Sequence, residues 1–204
     1  ARGAKLERAD QCVGEDRPSI FAEADARLAE AASGLHRNHR VPWAVRFGTV
    51  HGRLPDGAAA IARFPTTPTP EESNYLPLAN VVVNEVLTHS DPPLEDAIEL
   101  LNLSAAAVDI SGWYLSDAKN TLKKFRIPDG TILGPGAFIV FYEQQFNFDP
   151  TDPLSFALSS AEGDTLWLAA ADGPGNLTGY RGAAKFGPAE NAVSFGRHPT
   201  SVGV

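Results

Sequence analysis

Apolar and polar residues alternate in short segments that follow one another from residue 81 towards the C-terminal end of the chain. Alternation with a period of two is typical of a strand that buries one of its two faces. Glycine and proline residues separate the segments, as they do in sandwiches of two antiparallel sheets. The pattern therefore predicts a mainly β domain with strands at 81–86, 97–102, 108–115, 124–127, 155–158, 164–170 and 192–195.

One run of the chain is apolar without alternation, namely residues 137–142, Ala-Phe-Ile-Val-Phe-Tyr. A continuous apolar run of this length is typical of a strand that is covered on both faces. We therefore expect residues 137–142 to form a central, fully buried strand. Beyond the turn residues 172–175 the pattern weakens, and it predicts no strand before residue 192.

The first part of the chain has a helical period. Ile20, Ala24, Leu28, Ala31 and Leu35 are three or four positions apart, which places them on one face of an α-helix. We therefore predict that residues 1–46 form a helical N-terminal segment with an amphipathic helix. Prolines at positions 65, 68, 70 and 77 remove backbone donors and predict an extended, Pro-rich segment before the β domain.

Six motifs of the C-terminal part resemble, in the same order, those of a known family. They are Val83-Asn84-Glu85-Val86, Ile98-Glu99-Leu100 with Asn102, Asp109-Ile110-Ser111-Gly112-Trp113-Tyr114-Leu115-Ser116-Asp117, Ile127-Pro128-Asp129-Gly130-Thr131, Leu133-Gly134-Pro135-Gly136 and Leu158-Ser159-Ser160-Ala161-Glu162-Gly163-Asp164. Their order resembles the lamin tail domain in its bacterial form over about residues 78–204. The resemblance implies an immunoglobulin-like β-sandwich that begins near residue 78.

The closing element of bacterial lamin tail domains resembles two parts of the chain. One is Ser194-Phe195-Gly196-Arg197-His198-Pro199, at the end of the predicted domain, and the other is Gly52-Arg53-Leu54-Pro55-Asp56-Gly57, before it. This weaker, second resemblance implies that residues 47–74 resemble the end of a preceding similar unit. Residues 47–77 are therefore expected to be either a Pro-rich extended linker or the end of such a unit.

The family resemblance also implies a function. It implies a non-catalytic interaction or tethering module of a larger modular bacterial protein that is secreted or lies at the cell surface. One alternative is an auxiliary domain of an enzyme, beside a spore-coat-protein-H-like kinase or a nuclease. Another is a carbohydrate-binding module, which exposed coplanar aromatic rings would favour. The sequence contains no nucleophile elbow, phosphate loop or zinc-protease motif, so we predict no catalytic residues.

The charge of the chain narrows the choice of partners. The net charge of −8 lies in residues 78–204, which carry seven Lys and Arg against fifteen Asp and Glu. An acidic surface repels a phosphate backbone, so nucleic acid is disfavoured. Of the partners that the family resemblance implies, a protein or a glycan is therefore expected. No apolar run approaches the length of a membrane-spanning helix, so we expect no membrane insertion.

The densest group of carboxylates consists of Asp91, Glu95, Asp96 and Glu99. Calcium is bound by six to eight oxygen atoms, so these residues are the candidates for a calcium site. The alternative is that they are solvated or bound to backbone groups in turns. No other cofactor is expected.

Four further residues are predicted to serve the fold. Trp113 is expected to pack between the two sheets, and Gly112 to allow a close approach of the backbone to its ring. Gly130 and Gly136 lie in turns that need a positive φ, which glycine adopts at little cost.

Overall fold

The computed structural model describes residues 50–67, 69 and 71–198. The predicted helical segment 1–46 lies outside the described residues. The strands and the short helix follow in this order: β1 (Val50–Arg53), β2 (Ile61–Phe64), β3 (Leu76–Pro77), β4 (Val81–Leu87), β5 (Ala97–Asn102), β6 (Val108–Asp109), β7 (Tyr114–Ser116), β8 (Phe125–Arg126), β9 (Ile132–Leu133), β10 (Phe138–Tyr142), α1 (Glu143–Phe146), β11 (Asp164–Ala171), β12 (Leu177–Phe186) and β13 (Ser194–Gly196).

Two main sheets share one hydrophobic core. The first is antiparallel, with strand order β10-β5-β4-β13, and the second has the order β3-β12-β11-β7-β8, in which β3 is parallel to β12. The buried side chains of both sheets form a single cluster, which includes Val81 and Ile98 from the first sheet and Leu166 and Leu168 from the second. The prediction of a mainly β, two-sheet sandwich is confirmed.

Alternation along the strands explains which side chains enter the core. On β5, Ile98, Leu100 and Asn102 are buried, whereas the residues between them are only partly buried. On β4 the register shifts between Val83 and Glu85, so that one extra residue bulges out. The bulge shifts the alternation of β4 by one residue. Val83 and Val86, which lie on either side of it, therefore both face the core.

The apolar run 137–142 does not form a central strand. It becomes β10, an edge strand of the four-stranded sheet, and the prediction of a strand covered on both faces is wrong. Only one face is packed, with Phe141 buried, whereas Phe138 is 56% and Tyr142 47% exposed. Aromatic residues are common on the half-exposed faces of strands. A run of hydrophobic residues therefore does not by itself distinguish a central strand from an edge strand.

Three other predictions about strands need correction. Residues 108–115 do not form one strand, because a turn at Ser111 and Gly112 separates β6 from β7. Residues 155–158 form no strand, although Phe156 and Leu158 are buried in the core. The longest strand in the described residues, β12, lies where the pattern predicted none, because its glycines and alanines hide the alternation.

Part of the segment 47–77 is a β-hairpin. β1 and β2 pair in an antiparallel manner, with Val50 opposite Phe64, and both of these side chains are buried. The chain then reaches β3, which joins the edge of the five-stranded sheet. All described residues belong to one compact unit. No helix in the described part is long and apolar enough to cross a membrane.

Candidate ligand-binding site

Arg181 and Trp167 share the face of the five-stranded sheet that points away from the core. β11 and β12 pair with Ala169 opposite Arg181 and Trp167 opposite Ala183. Diagonal neighbours on adjacent strands lie on the same face of a sheet. Leu168, the next residue of β11 after Trp167, is fully buried in the core, which identifies the Trp167 face as the outer one. Trp167 lies between Leu166 and Leu168 in the sequence, and alternation along a strand by itself places its side chain on the face opposite to theirs.

A tyrosine covers the guanidinium of Arg181. Tyr75 directly precedes β3, which pairs with β12 so that Pro77 is opposite Arg181. The Cζ atom of Arg181 lies 3.7 Å from the centre of the Tyr75 ring and 5.3 Å from that of Trp167, both of which are cation–π distances. The arginine is only 6% exposed as a result.

The buried guanidinium has no anionic partner. Its Nε and Nη2 atoms are closed to solvent, and neither finds a hydrogen-bond acceptor among the described residues. The ion pairs of the described part do not include Arg181. The ring contacts engage the flat face of the group, whereas its N–H bonds point outward in the plane. Burying an unpaired charge costs several kcal/mol, so the group has a strong tendency to bind an anion.

Tyr75 is held in place by the segment that precedes it. Thr67 Oγ1 donates a hydrogen bond to the carbonyl oxygen of Tyr75 at 2.7 Å. Asn74 Nδ2 donates to the carbonyl oxygen of Arg53 on β1 at 3.0 Å, and the Asn74 amide donates to Asp56 Oδ1 at 3.1 Å. The hairpin and the Pro-rich segment therefore fix one wall of the site.

Two cavities meet at Tyr75 and Arg181. The smaller one, of about 170 Å³, includes Asp56 in its lining. The larger one, of about 310 Å³, has Arg197 as a second cation, and no Asp or Glu of the described residues lines it. Its remaining walls are mostly apolar and are made by Pro77, Leu78, Val81, Val82, Val83, Trp167, Leu168, Gly182 and Ala183, with Thr67 as a polar exception.

The four calcium candidates do not converge. Asp91 accepts a hydrogen bond from Asn191 Nδ2 at 2.6 Å, and Glu99 accepts one from Asn84 Nδ2 at 2.7 Å. Glu95 Oε2 lies 3.4 Å from the backbone amide of Gln144 near the start of α1. Asp96 is buried and accepts a hydrogen bond from Ser90 Oγ at 2.8 Å. Among the described residues no three His, Cys, Asp or Glu side chains form a cluster that could hold a metal ion. Calcium binding stays a prediction.

Asp96 is nevertheless electrostatically unusual. Burial raises the pKa of its carboxyl above the ordinary value, and the hydrogen bond from Ser90 reduces this effect. The negative charge of Glu143 raises the pKa further, whereas His89 lowers it. The backbone carbonyl of Asp96 also accepts a hydrogen bond from the Glu143 amide at 2.8 Å. Asp96 therefore ties the start of β5 to α1.

The predicted structural residues have positions that suit their roles. Trp113 is buried in the core cluster, and Gly112, Gly130 and Gly136 all have positive φ angles. At Gly112 an added Cβ would lie 2.9 Å from the guanidinium of Arg126. A side chain at position 112 would therefore crowd Arg126.

The cluster of cations between residues 119 and 126 is largely neutralised. Lys119 lies 2.6 Å from Glu72, Lys124 lies 2.6 Å from Asp117, and Arg126 forms an ion pair of 2.7 Å with Asp129. The fourth cation, Lys123, lies over the ring of Tyr114. Most of the positive charge of this cluster is therefore compensated by nearby carboxylates.

Sequence reasoning did not find the arginine site. The only local signal is a single arginine on a strand of small residues, Gly179-Tyr180-Arg181-Gly182-Ala183-Ala184. Nothing in this motif reveals that Tyr75, from the other end of the domain, covers the side chain.

The fold defines a class, the immunoglobulin-like β-sandwich, with an arginine site on the outer face of one sheet. The model of the lamin tail domain family matches residues 77–180, which is more than half of the chain, and the chain therefore belongs to this family. Lamin tail domains are immunoglobulin-like and non-enzymatic. No curated protein and no solved structure matches the chain. Tyr75, Arg181 and Arg197 lie outside the matched residues.

Proposed function

We propose that the chain is a non-catalytic interaction module that tethers a larger modular bacterial protein, secreted or at the cell surface, to a protein or glycan partner. The observation that carries this proposal is the guanidinium of Arg181, which is buried against two aromatic rings and has two donors without acceptors. Arginine and aromatic residues in such settings dominate the binding energy of interfaces. The family supplies the non-enzymatic framework.

Binding to isolated bacterial cell walls tests the proposal. The chain carries a fluorescent label at Cys12, its only cysteine, and retention on the walls is measured against concentration. We expect saturable retention, because a specific site has a finite number of partners. The heat-denatured chain is the control, and equal retention of both forms would contradict a folded binding module.

The Trp167→Ala variant tests whether the arginine site is the binding face. Loss of a central aromatic contact typically costs about 2 kcal/mol, so we expect roughly 30-fold weaker retention. Phe138→Ala removes an exposed aromatic side chain from β10 on the other sheet, and we expect it to leave retention unchanged. Unchanged retention by Trp167→Ala would exclude the arginine site as the contact.

Carbohydrate binding through β10 is a second candidate. Phe138 and Tyr142 are exposed, and residues four positions apart on a strand share a face. Exposed aromatic rings on one face are a common platform for sugars. If this candidate is correct, Phe138→Ala and Tyr142→Ala abolish binding to soluble cell-wall oligosaccharides, while Trp167→Ala retains it.

A further inference from the structure

The two unpartnered donors of Arg181 form one recognition edge. Within a guanidinium, Nε–H and Nη2–H are parallel and point to the same side, so together they match the two oxygens of a carboxylate. These are the two atoms of Arg181 that are buried without an acceptor. We propose that this edge binds the carboxylate of an organic ligand whose apolar part occupies the cavity of about 310 Å³. This inference rests on the proposed function, since it names the ligand chemistry of the same site.

The composition of the cavity favours a carboxylate over a phosphate. A phosphate group has more charge and more acceptor oxygens than a single guanidinium edge can satisfy, and phosphate sites supply several donors. The hydroxyl of Thr67 is already engaged, because it donates to the carbonyl oxygen of Tyr75. The other walls are largely aliphatic and aromatic, which suits the apolar body of an organic acid.

The charge around the site is locally positive in an acidic domain. Residues 78–204 carry only seven cations, yet two of them, Arg181 and Arg197, line this cavity. Arg197 is oriented by a hydrogen bond from its Nε to the carbonyl oxygen of Val83 at 2.8 Å. An anion is therefore attracted to this cavity and repelled by most of the remaining surface.

The ring of Tyr75 lies over the flat face of the guanidinium and forms a wall of both cavities. Nε and Nη2 are closed to solvent, so a ligand reaches them only when side chains around this edge move. The Tyr75 ring then offers an aromatic wall to the apolar part of the ligand.

Calorimetric titration of the full chain tests the proposal. The probes are sodium benzoate, sodium acetate, inorganic phosphate, and one short apolar peptide with a free or an amidated C-terminus. We expect one benzoate per chain, weaker binding of acetate because it lacks the apolar part, and no binding of phosphate. Binding of the free but not the amidated peptide identifies a polypeptide C-terminus as a source of the carboxylate, whereas binding of benzoate alone identifies a small organic acid.

Variants of the arginine separate recognition from general charge. Arg181→Lys keeps the charge but loses the two-donor edge, and we expect benzoate to bind at least ~10-fold more weakly; for Arg181→Gln we expect roughly 100-fold. Lys185→Gln is the matched control, because Lys185 lies on the same strand and face as Arg181 and is exposed. It removes the same charge and should leave binding unchanged.

Four outcomes overturn the inference. They are benzoate binding that survives Arg181→Gln, phosphate binding as tight as benzoate binding, equal losses in Lys185→Gln and Arg181→Gln, and no binding of any carboxylate. If no carboxylate binds but cell walls still retain the chain, the carboxylate inference fails and the proposed function stands. If neither binds, both fail. The melting temperature of each variant is measured alongside, and Arg181→Lys keeps the test valid if Arg181→Gln does not fold.

Discussion

Asn102 shows how a single buried polar side chain can join three parts of the fold. Its side chain is fully buried, and Nδ2 donates to the carbonyl oxygens of Ala106, Leu133 and Gly134 at 2.8–3.0 Å. Its Oδ1 accepts hydrogen bonds from the amide and the hydroxyl of Ser104. Asn102 therefore joins β5 to a turn and to the end of β9.

Replacing Asn102 with alanine tests this role. The change leaves buried carbonyl oxygens without donors, so we expect the free energy of unfolding to fall by about 3 kcal/mol. Chemical denaturation of both proteins provides the measurement. Asn191→Ala removes an exposed asparagine with one hydrogen bond, to Asp91, and should cost less than about 0.5 kcal/mol. Similar costs for the two variants would contradict the proposed role of Asn102.

Two glycines with positive φ differ in what surrounds them. An added Cβ at Gly136 meets nothing within 4 Å, whereas at Gly163 it would lie 2.4 Å from the carbonyl oxygen of Phe186. We expect Gly136→Ala to lower the free energy of unfolding by about 1 kcal/mol, through the backbone conformation alone. Gly163→Ala adds a clash with backbone, and we expect at least about 3 kcal/mol. Equal midpoints of thermal denaturation in the two variants would show that the backbone near Gly163 yields freely.

Asp96 makes stability depend on pH in an unusual direction. Its pKa in the folded state is raised, mainly by burial, so folding favours the protonated form. The ionised carboxylate of Asp96 destabilises the folded state. This destabilisation is absent below the ordinary pKa of 3.8, and it develops as the pH rises through that value and through the folded-state pKa. We therefore expect the stability of Asp96→Asn, relative to that of the natural protein, to increase as the pH rises from about 3 to about 6.

Asp109→Asn is the matched control for this pH dependence. Hydrogen bonds from Ser111 lower the pKa of the Asp109 carboxyl, so its stabilising contribution is present above the ordinary value and is lost as the pH falls. The two variants should therefore change in opposite directions in urea denaturation curves measured across this range. If both change in the same direction, the pKa of Asp96 is not raised.

At the scale of elements, the hairpin of β1 and β2 has its own small apolar contact. Phe64 is 2% exposed but lies outside the main core cluster, whereas Leu100 of β5 is fully buried within it. A buried residue outside the shared core contributes mainly to the stability of its own element and less to that of the sandwich. The hairpin is therefore expected to open without unfolding of the sandwich.

Hydrogen exchange of Phe64→Ala tests the independence of the hairpin. Truncating a buried phenylalanine costs about 3 kcal/mol, and we expect faster exchange in β1 and β2 while amides of β5 and β11 remain protected. Leu100→Ala removes a side chain from the shared core and should accelerate exchange in both sheets. Uniform acceleration in Phe64→Ala would mean that the hairpin and the sandwich unfold as one unit.

At the scale of the whole molecule, the acidic residues that are candidates for calcium binding are spread over separate contacts. The four calcium candidates have separate partners, and the described residues contain no cluster of three ligands. We expect the melting temperature in about 1 mM calcium to equal that in a chelator, and magnesium serves as the control for ionic strength. This calcium concentration is about that of extracellular fluids, in which weak calcium-binding modules function. A rise specific to calcium would confirm the calcium prediction, because a ligand of the folded state stabilises that state.

Local patterns in the sequence determined much of the sandwich. Alternation placed β4, β5 and β11, and it oriented Trp167 away from the core, because the side chains of a strand must alternate between its faces. The turn glycines Gly130 and Gly136 followed from the same local rules, and six ordered motifs indicated the family. These features depend on neighbours in sequence, so the sequence alone determined them.

Only the tertiary structure decided the features that depend on distant segments. β10 is as apolar as a central strand, but strand order made it an edge, because no further strand pairs with it in the described sheet. In the sequence, nothing distinguishes Arg181 from other strand residues. Its burial depends on Tyr75, which the pairing of β3 with β12 places over the guanidinium. Whether a side chain is buried, and whether it has a hydrogen-bond acceptor, depends on the residues that surround it. In the fold these residues come from remote parts of the chain, so the local sequence does not reveal them.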